Sequence, residues 1–241
     1  MLLKVEIIHE DPHIIVCVKP PKVPSQSDPS GDPDMLSVLK AYLDKANPEN
    51  PNKYLSIVHR LDRPVGGLMV FAKTKPAAAS LSKQIQERSF KKRYLPVTCG
   101  ILSPSNGKLE NHLKRLSTIN LSKVVSSEHQ QGKRAVLTYK THSSLEYSEF
   151  GPLALVEIEL ETGRHHQIRV QLSHAGCAIW GDNKYNKTFV KQKSWTQIAL
   201  WACGLSFVHP HSKRPVNYHV LPYNVIPFSL LSTLPSDALL E

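Results

Sequence analysis

Four cysteines in 241 residues leave little for sulfur chemistry to do. Cys17, Cys99, Cys177 and Cys203 form no Cys-x-x-Cys pair and have no histidine at zinc-finger spacing, so the spacing indicates neither a structural zinc nor a redox couple. Idle thiols of this kind are ordinary in a reducing compartment. Long apolar runs are missing as well, and none approaches the ~20 residues of a membrane-spanning helix. The start, Met1-Leu2-Leu3-Lys4-Val5-Glu6, has neither the apolar stretch of a secretory signal nor the Arg/Ser-rich pattern of an organellar presequence. The expectation is a soluble cytoplasmic protein. Glycine-rich phosphate loops of the two common forms are absent, which argues against a nucleotide-dependent enzyme. Acidic residues are few: 20 Asp and Glu stand against 30 Lys and Arg, a formal net charge of +10. That surplus is spread along the chain with no basic tail, the pattern of a folded basic surface facing a polyanion.

The apolar pattern is mostly that of strands. Leu2 to Ile8 and His13 to Val18 read as strands, the second closed by Lys19-Pro20-Pro21. Lys22 to Asp34 is a loop. Asp34 caps a helix with Leu36, Leu39, Tyr42 and Leu43 at helical spacing, ending near Asn47-Pro48, and Asn47 to Asn52 is a polar turn. Thr74 caps a second helix, with Pro76 in its first turn, Ala78, Leu81 and Ile85 on one face, and an end near Arg88. An extended stretch follows Tyr94 as far as Thr98. The middle third reads as mostly strand, with Ala135 to Tyr139 and Leu153 to Leu160 the clearest cases, and Gln197 to Ala202, Leu205 to His209 and Val216 to Val220 read as further strands. Gly100 to Gly107 reads as a loop, and Glu157, Glu159 and Glu161 as a solvated strand face. From Arg164 to Ala175 the period changes to 3.6, with Gly176 as the stop. No internal repeat or low-complexity linker interrupts this order. The fold class read from it is α+β, a largely antiparallel mixed sheet flanked by helices and loops, in one catalytic domain over 1–241.

Three blocks stand out from this background. In His59-Arg60-Leu61-Asp62-Arg63-Pro64-Val65-Gly66-Gly67, one carboxylate sits between two arginines where an incoming strand, Leu55 to Val58, turns into an outgoing one, Leu68 to Ala72. A carboxylate held ionised by guanidinium groups is a nucleophile and a poor proton donor. Taken alone, such a motif is more often a salt bridge at a hairpin. The second block is Lys92-Arg93-Tyr94. The third is Thr162-Gly163-Arg164-His165-His166-Gln167-Ile168-Arg169.

In this order and spacing the blocks resemble the RluA-type RNA pseudouridine synthases. The resemblance extends from Lys19-Pro20-Pro21 through Phe71-Ala72-Lys73-Thr74 to Gly181-Asp182-Asn183-Lys184-Tyr185 and Phe207-Val208-His209-Pro210. It implies that Asp62 is the nucleophile, that Tyr94 stacks on the target base, and that Arg169 pairs with the aspartate. It also implies that Arg60 fills or steers the gap left by the departing uridine. Lys92 and Arg164 are candidates for phosphate contacts, and His166 and Gln167 for shaping the pocket near Arg169. The partner implied is structured RNA, ribosomal or transfer, with no cofactor, no metal and no obligate protein partner, in a protein expected to be monomeric. The resemblance starts almost at residue 1, leaving no place for the N-terminal S4 module of many relatives. Val65-Gly66-Gly67 departs from the usual Thr-Ser-Gly turn, removing two hydroxyls and putting the stiffness of that turn in question.

The His165-His166 pair and His209-Pro210-His211 raise the question of metal, but neighbouring side chains on a helix point about 100° apart, a poor arrangement for chelation. A carboxylate-dependent glycosidase would need a second, protonated carboxyl group within about 5 to 10 Å, and no residue is nominated for it. A non-catalytic RNA-binding module on the same scaffold needs basic and stacking groups but no nucleophilic carboxylate.

Overall fold

The computed structural model describes residues 5–49, 53–192, 196–222 and 225–231. The beginning of the first expected strand, the end of the Asn47 to Asn52 turn and most of the C-terminal tail lie outside them. The chain divides into two compact units, Met1–Lys92 with Ala202–Leu221, and Arg93–Trp201 with Pro222–Glu241. Among the described residues no helix is long and apolar enough to cross a membrane.

In the first unit, β1 (Glu6–Glu10), β2 (Ile14–Lys19), β4 (Gly66–Ala72) and β10 (Leu200–Val208, from Ala202 onward) are neighbours in that order. The two-residue β3 (Ser56–Ile57) pairs with β4, and β11 (Pro215–His219) with β10. Every residue of β2 and β4 is buried, which explains why both read as unbroken apolar runs rather than alternating ones. Helix α1 (Met35–Ala46) starts where expected. Asp34 Oδ1 accepts from the N–H groups of Leu36 and Ser37, while Ser37 Oγ returns a bond to the Asp34 N–H, a complete capping box. Its buried face is Met35, Leu39 and Leu43, and Tyr42 points outward. Thr74 caps α2 (Lys75–Gln86), which buries Ala77 and Leu81.

The second unit is an antiparallel sheet in the order β5 (Lys91–Cys99), β9 (Gly151–Leu160), β8 (Lys133–Tyr147), β6 (Asn106–Leu116) and β7 (Leu121–Val125). Helix α3 (Gln167–His174) packs on the β6–β7 side, with Val170 clustering with Leu113 and Ala135. The one-turn helix α4 (Lys187–Val190) follows.

Several expectations need correction. Helix α3 begins at Gln167, not Arg164, because His166 adopts a left-handed conformation (φ 54°) that cannot lie inside a right-handed helix. The strands expected at Gln197 to Ala202 and Leu205 to His209 are one strand, β10. Strands β6 and β7 fall in the stretch read as mostly strand but not singled out by the pattern, and β6 begins at Asn106, inside the expected Gly100 to Gly107 loop. The glutamate face of β9 is not simply solvated: Glu157 lies 3.5 Å from Arg93 and 2.8 Å from His142, and Glu161 lies 3.3 Å from Arg134.

The loop whose stiffness was in question is held by backbone geometry. Gly67 has φ +121°, and a Cβ there would lie 2.3 Å from the Ala202 carbonyl oxygen and 2.6 Å from the Ala202 nitrogen. Only glycine meets both conditions. We therefore expect Gly67→Ala to destabilise the protein by about 3 kcal/mol or more. Urea melts test this, and a loss below about 1 kcal/mol would show that the contact relaxes cheaply.

Candidate active site

Asp62 sits in the turn between β3 and β4, half-buried, with its carbonyl accepting the Val65 N–H at 2.9 Å. The residue that organises this turn is Lys19, at the end of β2 and fully buried. Its ammonium donates to three carbonyls, Pro20 at 2.9 Å, Val23 at 2.7 Å and Arg63 at 3.0 Å. All three N–H donors are therefore used, and one of them holds the backbone next to Asp62. Burial pulls the Lys19 ammonium down to about 7, the Asp62 charge opposing that fall and Arg63 adding to it. Ser25 adds a second latch, its hydroxyl donating to the Leu61 carbonyl at 2.8 Å and accepting the Leu61 N–H at 3.1 Å.

Arg63 belongs to the loop before α1. Its guanidinium donates to the Lys22 carbonyl at 3.0 Å and the Ser30 hydroxyl at 2.8 Å, and it meets the carboxylates of Asp28 and Asp32. Arg60 is exposed between buried His59 and Leu61. His59 accepts the Val70 N–H on Nε2 at 3.1 Å, so its proton sits on Nδ1, a buried atom with no hydrogen-bond partner among the described residues. Burial, with help from the Lys92 charge, pushes His59 down to about 3. Lys92 is half-buried and burial lowers its pKa as well, a less favourable setting for a phosphate contact than an exposed lysine.

In the second unit, Tyr94 is buried on β5, opposite Ile158 of β9. Arg169 is 2% exposed and gives two parallel hydrogen bonds to Asp182, at 2.8 Å from Nε and 2.7 Å from Nη2. Asp182 is fully buried and also accepts the N–H groups of Lys184 and Tyr185. A fork-to-carboxylate pair fixes the guanidinium plane as well as its position. Arg169 also lies 5.3 Å from the centre of the Tyr185 ring. The Tyr185 hydroxyl accepts the Ser122 N–H at 2.7 Å, which directs its own proton to His166 Nδ1 at 2.8 Å. Burial and the positive charge of Arg169 push His166 to about 2, so it stands neutral as part of the arginine's cage.

Gln167 is buried and its amide is fully engaged: Oε1 accepts from the Thr162 hydroxyl at 2.8 Å and the Arg164 N–H at 2.9 Å, and Nε2 donates to the Val136 carbonyl at 3.0 Å. It holds the Thr162–Arg164 loop from inside. Arg164 is exposed, with Nε donating to the Arg134 carbonyl at 2.9 Å. The His165 and His166 rings stack at 3.8 Å instead of converging on a point.

A family model described as RNA pseudouridylate synthase matches residues 13–174. The chain belongs to that family. Among similar proteins, the ribosomal large subunit pseudouridine synthase D of Zymomonas mobilis is 32% identical over 90% of this chain and 68% of its own length. The enzyme of the same name from Neisseria meningitidis serogroup B is 35% identical over 99% of this chain and 63% of its own length. The chain thus spans about two thirds of the length of the curated relatives it matches. Two human structures share the fold. RNA pseudouridylate synthase domain containing 4 has a TM-score of 0.74 at 24% identity, covering 90% of this chain and 89% of that one. Domain containing 1 has a TM-score of 0.77 at 21% identity, covering 100% and 94%.

Within this pseudouridylate synthase scaffold, sequence reasoning missed two residues, Lys19 and Asp182. Both stood inside quoted motif blocks. Neither burial nor the three carbonyls around Lys19 left a mark in composition or period.

Two outcomes are expected. Lys19→Met leaves three carbonyls without donors and removes the buried cation beside the Asp62 turn. It should cost about 3 kcal/mol, and an unchanged urea midpoint would rule out the latch. For His59, the folded state binds fewer protons than the unfolded state between pH 6.5 and 3, so acidification through that window destabilises, by about 2 kcal/mol at pH 5. His59→Gln keeps an acceptor for the Val70 N–H and should lose that much less stability than wild type between pH 7 and 5. Equal losses in urea melts at the two pH values would contradict the assignment.

Proposed function

We propose that the protein is an RNA pseudouridine synthase that isomerises uridines in structured RNA, ribosomal or transfer, using Asp62 as nucleophile and no cofactor. The observation that carries the reading is Asp62 itself: it lies in the segment matched by the family model, on a turn held from inside by a buried lysine. The names of the curated relatives favour ribosomal RNA. The family match runs through the boundary between Lys92 and Arg93, which supports taking both units as one catalytic domain. Four free thiols accord with a cytoplasmic setting, and the reading includes a monomer without an obligate protein partner.

Isomerisation breaks the bond from N1 to C1′ and forms one from C5 to C1′, while C5 loses a proton and N1 gains one. No electrons and no water are consumed, so the reaction balances with protein groups alone. The Asp62 carboxylate shares the charge that develops at C1′ or adds to the ring. Tyr94 holds the loosened uracil by its π-face, and Arg169 supplies a fixed positive charge. Arg60, exposed beside the turn, enters the gap left by a base that must leave its stack. His166 and Gln167 act one step removed, by keeping Arg169 and the Thr162–Arg164 loop in place. The non-catalytic reading gains no observation of its own.

The test uses a large-subunit ribosomal RNA transcript and a transfer RNA pool carrying tritium at C5 of uridine. Wild type should release tritium, and Asp62→Ala should lower the rate by roughly 10³-fold or more while retaining RNA binding. Binding by wild type with no release from either RNA would overturn the enzyme reading.

A further inference from the structure

The β6–β7 hairpin carries a charged face that the proposed chemistry does not use. Strand alternation places Lys108, Glu110, His112 and Lys114 on one side of β6, opposite the side on which Leu113 meets Ala135 and Val170. Across the hairpin Lys114 stands directly opposite Lys123, and on the β8 side His112 stands opposite Arg134. Like charges directly opposed on one face weaken a ladder. The one acidic residue of this stripe, Glu110, is already shared by Lys108 at 3.2 Å and Arg134 at 2.6 Å. Among the described residues neither Lys114 nor Lys123 has an ion pair, and Lys123 is exposed. A regular strand face therefore keeps two opposed positive charges uncompensated.

A second observation ties this face to the arginine site. The Asn120 side chain bonds His165 Nε2 at 3.0 Å, the Ser122 hydroxyl bonds His165 Nδ1 at 2.9 Å, and the Lys184 ammonium donates to the Asn120 carbonyl at 2.8 Å. The Ser122 N–H donates to Tyr185, whose ring lies beside Arg169. Lys123 thus follows immediately on residues fastened to the same cage that fixes Arg169. Arg164, bonded to the Arg134 carbonyl, continues the basic stripe onto the motif loop.

We propose that the outer face of the β6–β7 hairpin docks the phosphate backbone of the RNA, with Lys114 and Lys123 flanking one phosphate group. The proposal rests on the reading of RNA as substrate. Two ammonium groups on directly opposed strand positions, about 5 Å apart at Cα, suit one phosphodiester group, whose single negative charge is spread over two non-bridging oxygens, and the chain's net charge of +10 favours a polyanion. His165 is the positioning residue that sets where this contact falls relative to Arg169.

The experiment measures KM and the dependence of RNA affinity on salt, using the tritiated ribosomal transcript. Lys114→Gln/Lys123→Gln, which keeps long side chains on both strands, should raise KM roughly tenfold and reduce the slope of log affinity against log salt by about 0.7 to 0.9, the share of one phosphate. Lys40→Gln/Lys45→Gln on α1 removes the same charge elsewhere and should leave the slope as in wild type. If the double variant melts early, Lys123→Gln alone should still reduce the slope, by roughly half as much. Unchanged KM and slope in an active protein would overturn the proposal and leave the face to some other acidic partner. Should wild type bind RNA without turnover, the slope still decides the hairpin, while the enzyme reading falls separately.

Discussion

The geometry around Asp62 depends on one buried cation. Taking an ammonium group out of water costs several kcal/mol even after relaxation, and Lys19 is fully buried. What makes it tolerable is saturation: three carbonyl oxygens accept its three protons, and the Asp62 charge lies close enough to oppose the loss of its proton. The neighbouring backbone is adapted to the same end. Lys19 pairs in register with Gly67, and Gly67 has no room for a side chain because Ala202 is pressed against it. A lysine that must stay inside and a glycine that must stay bare stand opposite each other, and between them they settle where the turn carrying Asp62 leaves the sheet.

The second unit solves a similar problem with a different pair. Arg169 and Asp182 are both out of solvent, so neither charge survives there without the other. Their fork geometry is reinforced from two sides, by backbone N–H groups on Asp182 and by the Tyr185 ring beside the guanidinium. His166 must remain neutral in this company, and its Nδ1 is already committed to the Tyr185 hydroxyl. The arginine is thereby immobilised by folding itself. Because Tyr185 also receives the Ser122 N–H, the cage and the β6–β7 hairpin are mechanically one piece.

Some of this was legible in the chain. Asp34 and Thr74 announce α1 and α2 because capping is local chemistry, and β2 and β4 announce themselves because complete burial admits nothing but apolar residues up to Lys19. The β6–β7 hairpin stayed hidden for an equally physical reason. Its inward row includes Asn111, which spoils the apolar alternation and is tolerated only because Gln171 donates to it at 2.8 Å across the packing. A partner sixty residues away in sequence cannot be seen in a window of ten. The start of α3 was misplaced on the same grounds: Gln167 bends back to bond Thr162 and Arg164, and a periodic pattern does not reveal where a side chain replaces a helical turn.

The arginine on the far side of the aspartate clarifies what the motif is for. Arg63 is adjacent to Asp62 in sequence and looks like its natural counterion, yet it reaches to Asp28, Ser30, Asp32 and the Lys22 carbonyl. Its work is to hold the long loop before α1. Lys19 is a cation of the same unit that does act on Asp62, and all three of its protons go to carbonyls, so it acts through its field without taking up a carboxylate oxygen. A buried cation one step away holds the backbone of the turn through a carbonyl and sets its charge against that of Asp62, which is a different arrangement from the hairpin salt bridge between Asp62 and Arg63 that the sequence first suggests.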